Sequence, residues 1–235
     1  MAEPSDQHRT RPTVSRQRRP AAPQRRDEVL AAATQVFHAQ GYEASSIQDV
    51  ADALGMLKGS LYYYIDSKED LLFAIIEEVH RSTMERLERW LALDVDTLVK
   101  LRIFLHWQVR TYCRDVAKVG VFIHDFRSLS PEHQAQILAE RDRYDRALRD
   151  LIRQGQAEGV VADDVDPKLT AMAIFGMVNW ISTWYRPGGE NTPEQLAEQY
   201  TDLVLAGLVP ARGGPRSAIG PLPDGLDPNG DVHPQ

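Results

Sequence analysis

The sequence predicts an all-α chain, and three observations carry the prediction. Apolar residues recur at helical spacing in run after run, and side chains able to cap a helix stand at the head of those runs. No segment shows sustained strand alternation bounded by hairpin turns. About nine helices are expected, framed by an unstructured arm over residues 1–24 and a tail over 210–235 in which Gly and Pro dominate.

The first helix starts at Arg25 and places Val29, Leu30, Ala33, Val36 and Phe37 on one side. Gly41 ends it, because glycine accepts the positive φ found just past a helix C-terminus. Ser46-Ile47-Gln48-Asp49 reads as a capping box opening a short helix with Ile47, Val50, Ala51 and Leu54 inward. Gly55 breaks that helix, and another starts near Lys58 and carries Tyr62, Tyr63 and Tyr64. Ser67-Lys68-Glu69-Asp70 is a second capping box, heading a long helix to roughly residue 92. Ser130-Pro131, Asp166-Pro167 and Thr192-Pro193 each pair a capping oxygen with a proline whose missing N–H costs nothing at the first helical position. Helical patterns therefore run near 96–114, 116–127, 131–157, 167–185 and 193–208.

The 235 residues are ample for a sizeable core, and 43% apolar with 26% charged content is that of a globular protein. Cys113 is the one cysteine, so no internal disulfide forms; a reducing cytoplasmic setting is expected. The longest apolar run, 169–184, is interrupted by Asn179 and falls short of the ~20 residues that cross a bilayer. No apolar signal core opens the chain, so no secretion signal and no membrane partner are expected. The net charge of −7 is unevenly spread: residues 1–26 balance at +5, whereas 69–235 balance at −8. Overall acidity therefore does not argue against nucleic acid.

Two short helices, a glycine-containing turn and a first helix behind them make a helix-turn-helix, whose second helix enters the DNA major groove. Gly59 and Ser60 allow close approach, and Lys58 can reach a phosphate or a guanine edge. Ser60, Tyr62 and Tyr64 can offer hydroxyls to phosphates, while Leu61 and Ile65 point inward. Lys68 sits at a helix N-terminus that favours a phosphate. The three tyrosines span roughly 200° of helix, so they cannot share one surface; one belongs to the core and two are expected on the DNA.

Residues 25–72, with SSIQDVADALGMLKGSLYYYIDSKEDLL at their centre, resemble the DNA-binding domain of TetR-family transcriptional repressors. The resemblance implies base contacts from Gln48 and Lys58 and phosphate contacts from Ser46, Ser60, Tyr62, Tyr64 and Lys68. Leu57 departs from the Ser or Thr often found before the lysine, which weakens the cap of the recognition helix. The domain division expected is 25–70 for DNA and 71–209 for ligand and dimer contacts.

The resemblance also implies a homodimer. Leu169, Met172, Ile174, Phe175, Val178, Trp180, Ile181 and Trp184 make the 167–185 helix apolar on nearly every side, so it needs burial all round. The last helix sets Leu196, Tyr200, Leu203 and Val204 on one face, suited to pairing with it in a two-fold four-helix bundle. A monomer core burying both helices is the alternative.

The stretches DFRSLSPEHQAQILAERDRY (125–144) and GMVNWISTWYRPGG (176–189) resemble the C-terminal domain of TetR-type repressors of fatty-acid, aromatic-acid or steroid-ring catabolism, released by acyl-CoA thioesters. Phe104, Trp107, Phe122, Trp180 and Trp184 could wall the acyl group, with Trp180 and Trp184 equally readable as plain core. Arg110, Arg127 and Arg186 could hold the phosphates, though each singly also reads as a salt bridge. Asn179 needs a hydrogen-bond partner if buried, in ligand or backbone. A lipophilic drug-like effector of an efflux repressor is the competing reading, and a helical interaction protein without DNA binding is the alternative of another class.

Enzyme readings find little support. Glu77-Glu78-Val79-His80 holds one Glu-x-x-His, but di-iron bundles need two, so His80 reads as a surface or packing histidine. No H-E-x-x-H, CxxC, G-x-S-x-G or phosphate-binding glycine loop is present. His106 and Cys113 lack a third group to orient the base. No catalytic residue, metal or cofactor is expected.

Overall fold

The computed structural model describes residues 22–210. The unstructured arm and tail expected from the sequence lie outside the described residues, except that the first helix already begins at Ala22. Nine α-helices and one 3-10 turn make up the described residues: α1 (Ala22–Gln40), α2 (Ile47–Ala53), α3 (Lys58–Leu61), α4 (Lys68–Leu91), α5 (Thr97–Arg114), α6 (Val116–Asp125), a 3-10 turn (Phe126–Ser128), α7 (Pro131–Ala157), α8 (Pro167–Trp184) and α9 (Pro193–Leu208). Every capping side chain read from the sequence accepts its N–H, but the box expected at Ser67–Asp70 lacks its reciprocal bond to the Ser67 N–H. Ser46 and Thr192 close full capping boxes, and Ser67, Ser130 and Asp166 each accept a backbone N–H of the first turn. Gly41 and Gly55 hold φ of 82° and 62°, as the two turns around α2 require.

The recognition helix is shorter than the sequence suggests. It closes at Leu61, and Tyr62, Tyr63 and Tyr64 occupy the tight turn that follows, where the Tyr64 N–H donates to the Leu61 carbonyl at 2.8 Å. Leu61 and Ile65 must both reach the core, and the turn brings them there.

A first core gathers Val29, Phe37, Val50, Leu61, Leu72 and Ile76 from the N-terminal helices. It continues without a break into Val121 and Phe122 of α6 and Ile137 of α7. A second core lies among α4, α5, α7, α8 and α9, with Leu101, Phe104, Leu148, Ile152, Ile174 and Leu205 at its centre, and takes in Val116 and Val119 of α6. Helix α6 thus serves both cores, and its Gly120 lets α1 approach: a Cβ there would stand 3.0 Å from His38 Nδ1.

Two expectations about the last helices need correction. Helix α9 lies along α5, not chiefly along α8, so Leu196 and Val204 face the chain's own core. Leu203 alone of its expected apolar face points outward, 61% exposed, while Tyr200 is partly buried against the second core. A ladder of polar contacts runs along the seam, ionic at its two arginines, while burial holds the His106 pKa below its ordinary value. Arg102, His106 and Arg110 recur one turn apart on α5 and meet Asp202, Glu198 and Glu194 on the antiparallel α9. Helix α8 buries Ala171, Ile174, Val178 and Ile181 and leaves Leu169, Met172, Trp180 and Trp184 exposed along one side.

Candidate DNA-binding face and ligand cavity

Helices α2 and α3 present the polar residues singled out in the sequence. Lys58 and Gly59 are exposed at the start of α3, and a Cβ on Gly59 would meet nothing in the protein. Among the described residues no carboxylate pairs with Lys58. Leu57 precedes them without a side-chain capping bond and is 80% exposed, the weak cap that its identity foretells. Tyr62 and Tyr63 stand 49% and 88% exposed, while Tyr64 is half-buried against the first core. Ser60 is half-buried beside them.

Three of the other residues are already engaged. The Ser46 hydroxyl accepts the Asp49 N–H at 3.2 Å and donates to Asp49 Oδ2 at 2.7 Å; that last bond, with the Ser46 N–H donating to the same oxygen at 2.7 Å, holds the Asp49 carboxyl below its ordinary range. The exposed Gln48 amide donates to Asp52 Oδ1 at 2.7 Å. Lys68 lies with its Nζ 4.1 Å from the centre of the Tyr42 ring and 3.5 Å from the Glu43 carbonyl, which fixes the ammonium at the N-terminus of α4.

A cavity of about 490 Å³ opens among α4, α5, α6, α7 and α8. Of the nine residues proposed for a ligand, Phe122 and Asn179 line it. Asn179 is half-buried and accepts the Tyr112 hydroxyl at 3.1 Å. Phe104 lies one layer behind, its ring centre 6.5 Å from that of Phe175, which does line the cavity. The structure does not bring the others there. Trp107 packs against Trp90 in a separate cluster, because its side of α5 faces away from α8. Arg110 is paired with Glu194 at 2.9 Å, and Arg127 is exposed on the 3-10 turn. Trp180 and Trp184 sit on the exposed side of α8 and are not core. Arg186, exposed, borders a different cleft of about 530 Å³ together with His38, Arg114 and His124.

The sequence reading missed most of the lining. Arg141, Asp142, Asp145 and Arg149 of α7 contribute two positive and two negative groups, and Gln108 accepts a hydrogen bond from Tyr144. His80 lines the cavity edge-on to Phe122, with ring centres 4.8 Å apart. Burial, and secondarily the Arg141 guanidinium, pushes its pKa down to about 4. The ring is buried and not at the surface. The signal was there in the helical spacing of His80, Thr83 and Val79 on α4, without anything to say which side α7 would cover.

The segment that closes α6 rests on the N-terminal helices. Ser128 donates to Glu43 at 2.9 Å, and Asp125 takes a backbone bond from Tyr42, its carboxyl nonetheless pushed up by burial. The end of α6, a helix that lines the cavity through Val119 and Phe122, is therefore in direct contact with the turn before α2. Cys113 is buried, its thiol pushed up to about 12 by burial and by Glu194, so no thiolate forms near neutral pH. Among the described residues no group of His, Cys, Asp or Glu is arranged to hold a metal ion, and no helix is long and apolar enough to cross a membrane.

Residues 29–75 match the family described as bacterial regulatory proteins of the tetR family, and residues 94–208 match the tetracyclin repressor-like C-terminal domain. The crystal structure of the TetR-family regulator PfmR from Thermus thermophilus superposes with a TM-score of 0.71 at 35% identity, covering 77% of this chain and 98% of that one. The chain belongs to the TetR family of transcriptional regulators. Among other TetR-family proteins, it is similar to the transcriptional repressor KstR2 of Mycolicibacterium smegmatis, 29% identical over 80% of this chain and 93% of that protein. It also resembles AibR, solved with isovaleryl coenzyme A and operator DNA, at a TM-score of 0.69 and 30% identity over 76% and 97% of the two chains. These TetR-family relatives are regulators rather than enzymes.

Proposed function

We propose that this regulator is a homodimeric repressor that binds an inverted-repeat operator and is released by a small hydrophobic effector, an acyl-CoA thioester. Residues 25–70 form the DNA-contacting unit in this reading, and residues 71–209 the unit that holds ligand and partner. Lys58 and Gln48 read bases; Ser46, Ser60, Tyr62, Tyr64 and Lys68 hold phosphates, with Tyr63 and Gly59 allowing contact along the same face. The exposed side of α8, with Leu203 of α9, meets its copy across a two-fold axis.

The observation that carries the reading is the contrast on either side of Leu61: that side chain is buried, whereas Lys58, Tyr62 and Tyr63 are turned to solvent with no task inside the protein. Aromatic rings left exposed beside an unneutralised lysine suit a sugar–phosphate groove. The cavity supports the effector. It has apolar walls from Val119, Phe122 and Phe175, and its four charged residues balance, which fits an acyl group better than the phosphates of the nucleotide. AibR, with its bound acyl thioester, lends the same direction. The protein acts where its operator is, in the cytoplasm.

The test is a gel shift on the DNA upstream of the protein's own gene, repeated with free coenzyme A, several acyl thioesters and the matching free acids. Retardation released by at least one thioester, and not by coenzyme A alone, is the expected outcome. A protein that retards no duplex at low salt ends the reading.

A further inference from the structure

The polar groups of the cavity fall into two sets. Tyr112 with Asn179, and Tyr144 with Gln108, satisfy one another. His80 Nε2, Thr111 Oγ1 and Arg149 Nε have no partner in the protein although all three are buried. They are three of the seven such side-chain atoms among the described residues, yet all three belong to residues that line this one cavity, from α4, α5 and α7; Arg149 also pairs with Asp145 through another of its nitrogens. Buried polar groups are seldom left unpaired, because each forfeits the hydrogen bond it made with water. A cluster of them around a space large enough for a ligand marks where the ligand supplies the missing atoms.

We propose that His80 and Thr111 read an oxygen function, carbonyl or hydroxyl, on the buried part of the effector, so that the cavity selects an oxygenated acyl group over a plain hydrocarbon of equal length. This rests on the reading of the cavity as the effector site. The imidazole is suited to the task. Held neutral by burial, it offers one nitrogen as donor or acceptor according to tautomer, and a hydroxyl such as that of Thr111 does both. The apolar neighbours explain the selectivity: where Phe122 and Phe175 surround the chain, a methylene facing His80 leaves its nitrogen unpaired, and a site built to bond an oxygen rejects the analogue that lacks it.

Calorimetry on the full chain tests this with octanoyl-CoA and a series carrying a keto or hydroxyl group at successive carbons of the acyl chain. At least one oxygenated thioester binds about tenfold tighter than octanoyl-CoA or better, the scale of one satisfied buried hydrogen bond. The preference is lost in His80→Leu and reduced in Thr111→Val, and it survives in His80→Gln, whose amide still donates and accepts. Thr111→Val keeps the shape of the side chain, so it remains informative should His80→Leu fail to fold. Equal affinity across the series, or a preference indifferent to both substitutions, overturns the inference and leaves the effector reading standing; water then satisfies the three atoms. Failure of every thioester to bind overturns both.

Discussion

Glu69 and His133 meet at 2.8 Å, carboxylate Oε1 to ring Nδ1, and tie the first turn of α4 to the first turn of α7. The same oxygen takes the Ser130 N–H at 2.8 Å, and the His133 ring lies flat on Phe73, 3.9 Å between centres and 12° between planes. Glu69 adjoins Lys68, so the cavity's helix α7 and a proposed phosphate contact share one anchor.

Glu69→Ala removes the acceptor for both donors and should destabilise the protein by about 1–3 kcal/mol, with Glu69→Gln between it and the wild type. The bonds from Ser130, then that from His133, hold the Glu69 carboxyl below its ordinary pKa. Its contribution is therefore present above the ordinary carboxylate range and is lost as the pH falls through the lowered folded value. Urea denaturation at neutral pH measures the first effect; an alanine variant as stable as the wild type would remove the anchor. If the anchor transmits the effector signal, operator and ligand should also weaken each other less in the variant.

On the DNA face, stability and affinity should separate. Tyr63→Ala and Lys58→Ala alter exposed side chains, so stability should stay within about 0.5 kcal/mol. Operator binding should fall in both, and for Lys58→Ala the slope of log affinity against log salt should drop by about 1 if the lysine holds a phosphate. Leu61→Ala, between them in sequence but fully buried, should cost about 2–5 kcal/mol. Thermal melts and salt-titrated fluorescence anisotropy distinguish the two groups.

Arg102 is 7% exposed, whereas its partners Glu198 and Asp202 are about half exposed. Removing the arginine frees two carboxylates that water can reach; removing the carboxylates strands a buried cation. The double variant Glu198→Ala with Asp202→Ala should therefore lose about 3–5 kcal/mol, more than Arg102→Met. The reverse order in denaturant midpoints would show that the arginine's own packing dominates.

His80 sets a pH dependence whose sign follows from its depressed pKa. Above about pH 6.5 the ring is neutral folded and unfolded alike, and the contribution is whole. As the pH falls toward about 4 the unfolded chain takes up a proton that the folded chain refuses, and stability is lost. Between roughly pH 7 and pH 5 this amounts to about 2 kcal/mol. His80→Leu should be flatter than the wild type by that amount across the same window, and parallel curves would place the titration elsewhere.

How far the sequence reaches is visible in its caps and its faces. Ser46, Ser67, Ser130, Asp166 and Thr192 announce helix starts because a cap is satisfied within three residues, and each stands where its neighbours put it. The end of α3 is harder: nothing local to Tyr62 stops a helix, and the demand that Leu61 and Ile65 share a core is tertiary. The cavity is harder still. Arg110 pairs with Glu194, far along the chain, and α7 is so polar that Arg141 and Arg149 read as a solvated surface, with nothing local to show that α4 and α8 set a cavity beside them. Aromatic content drew attention to Trp107, Trp180 and Trp184, yet two of these lie on an outer face and the third beside Trp90.

That outer face supports the last prediction. Trp180 is 63% exposed, Met172 56% and Leu169 63%, recurring along one side of α8, with Trp184 at its end. Large apolar side chains aligned in this way and left in water mark an interface, and the helix is long enough for a copy to pack against it. Trp180→Glu should leave the helical content unchanged, since the ring contributes little to the chain's own core, but should place a like charge on each side of the two-fold contact. In equilibrium sedimentation the wild type is expected at about twice the 26.5 kDa chain mass and the variant near the single chain. Operator affinity should fall with the dimer, because one recognition helix grips only half an inverted repeat. A wild-type protein that sediments as a single chain at micromolar concentration would assign the apolar face to some other partner.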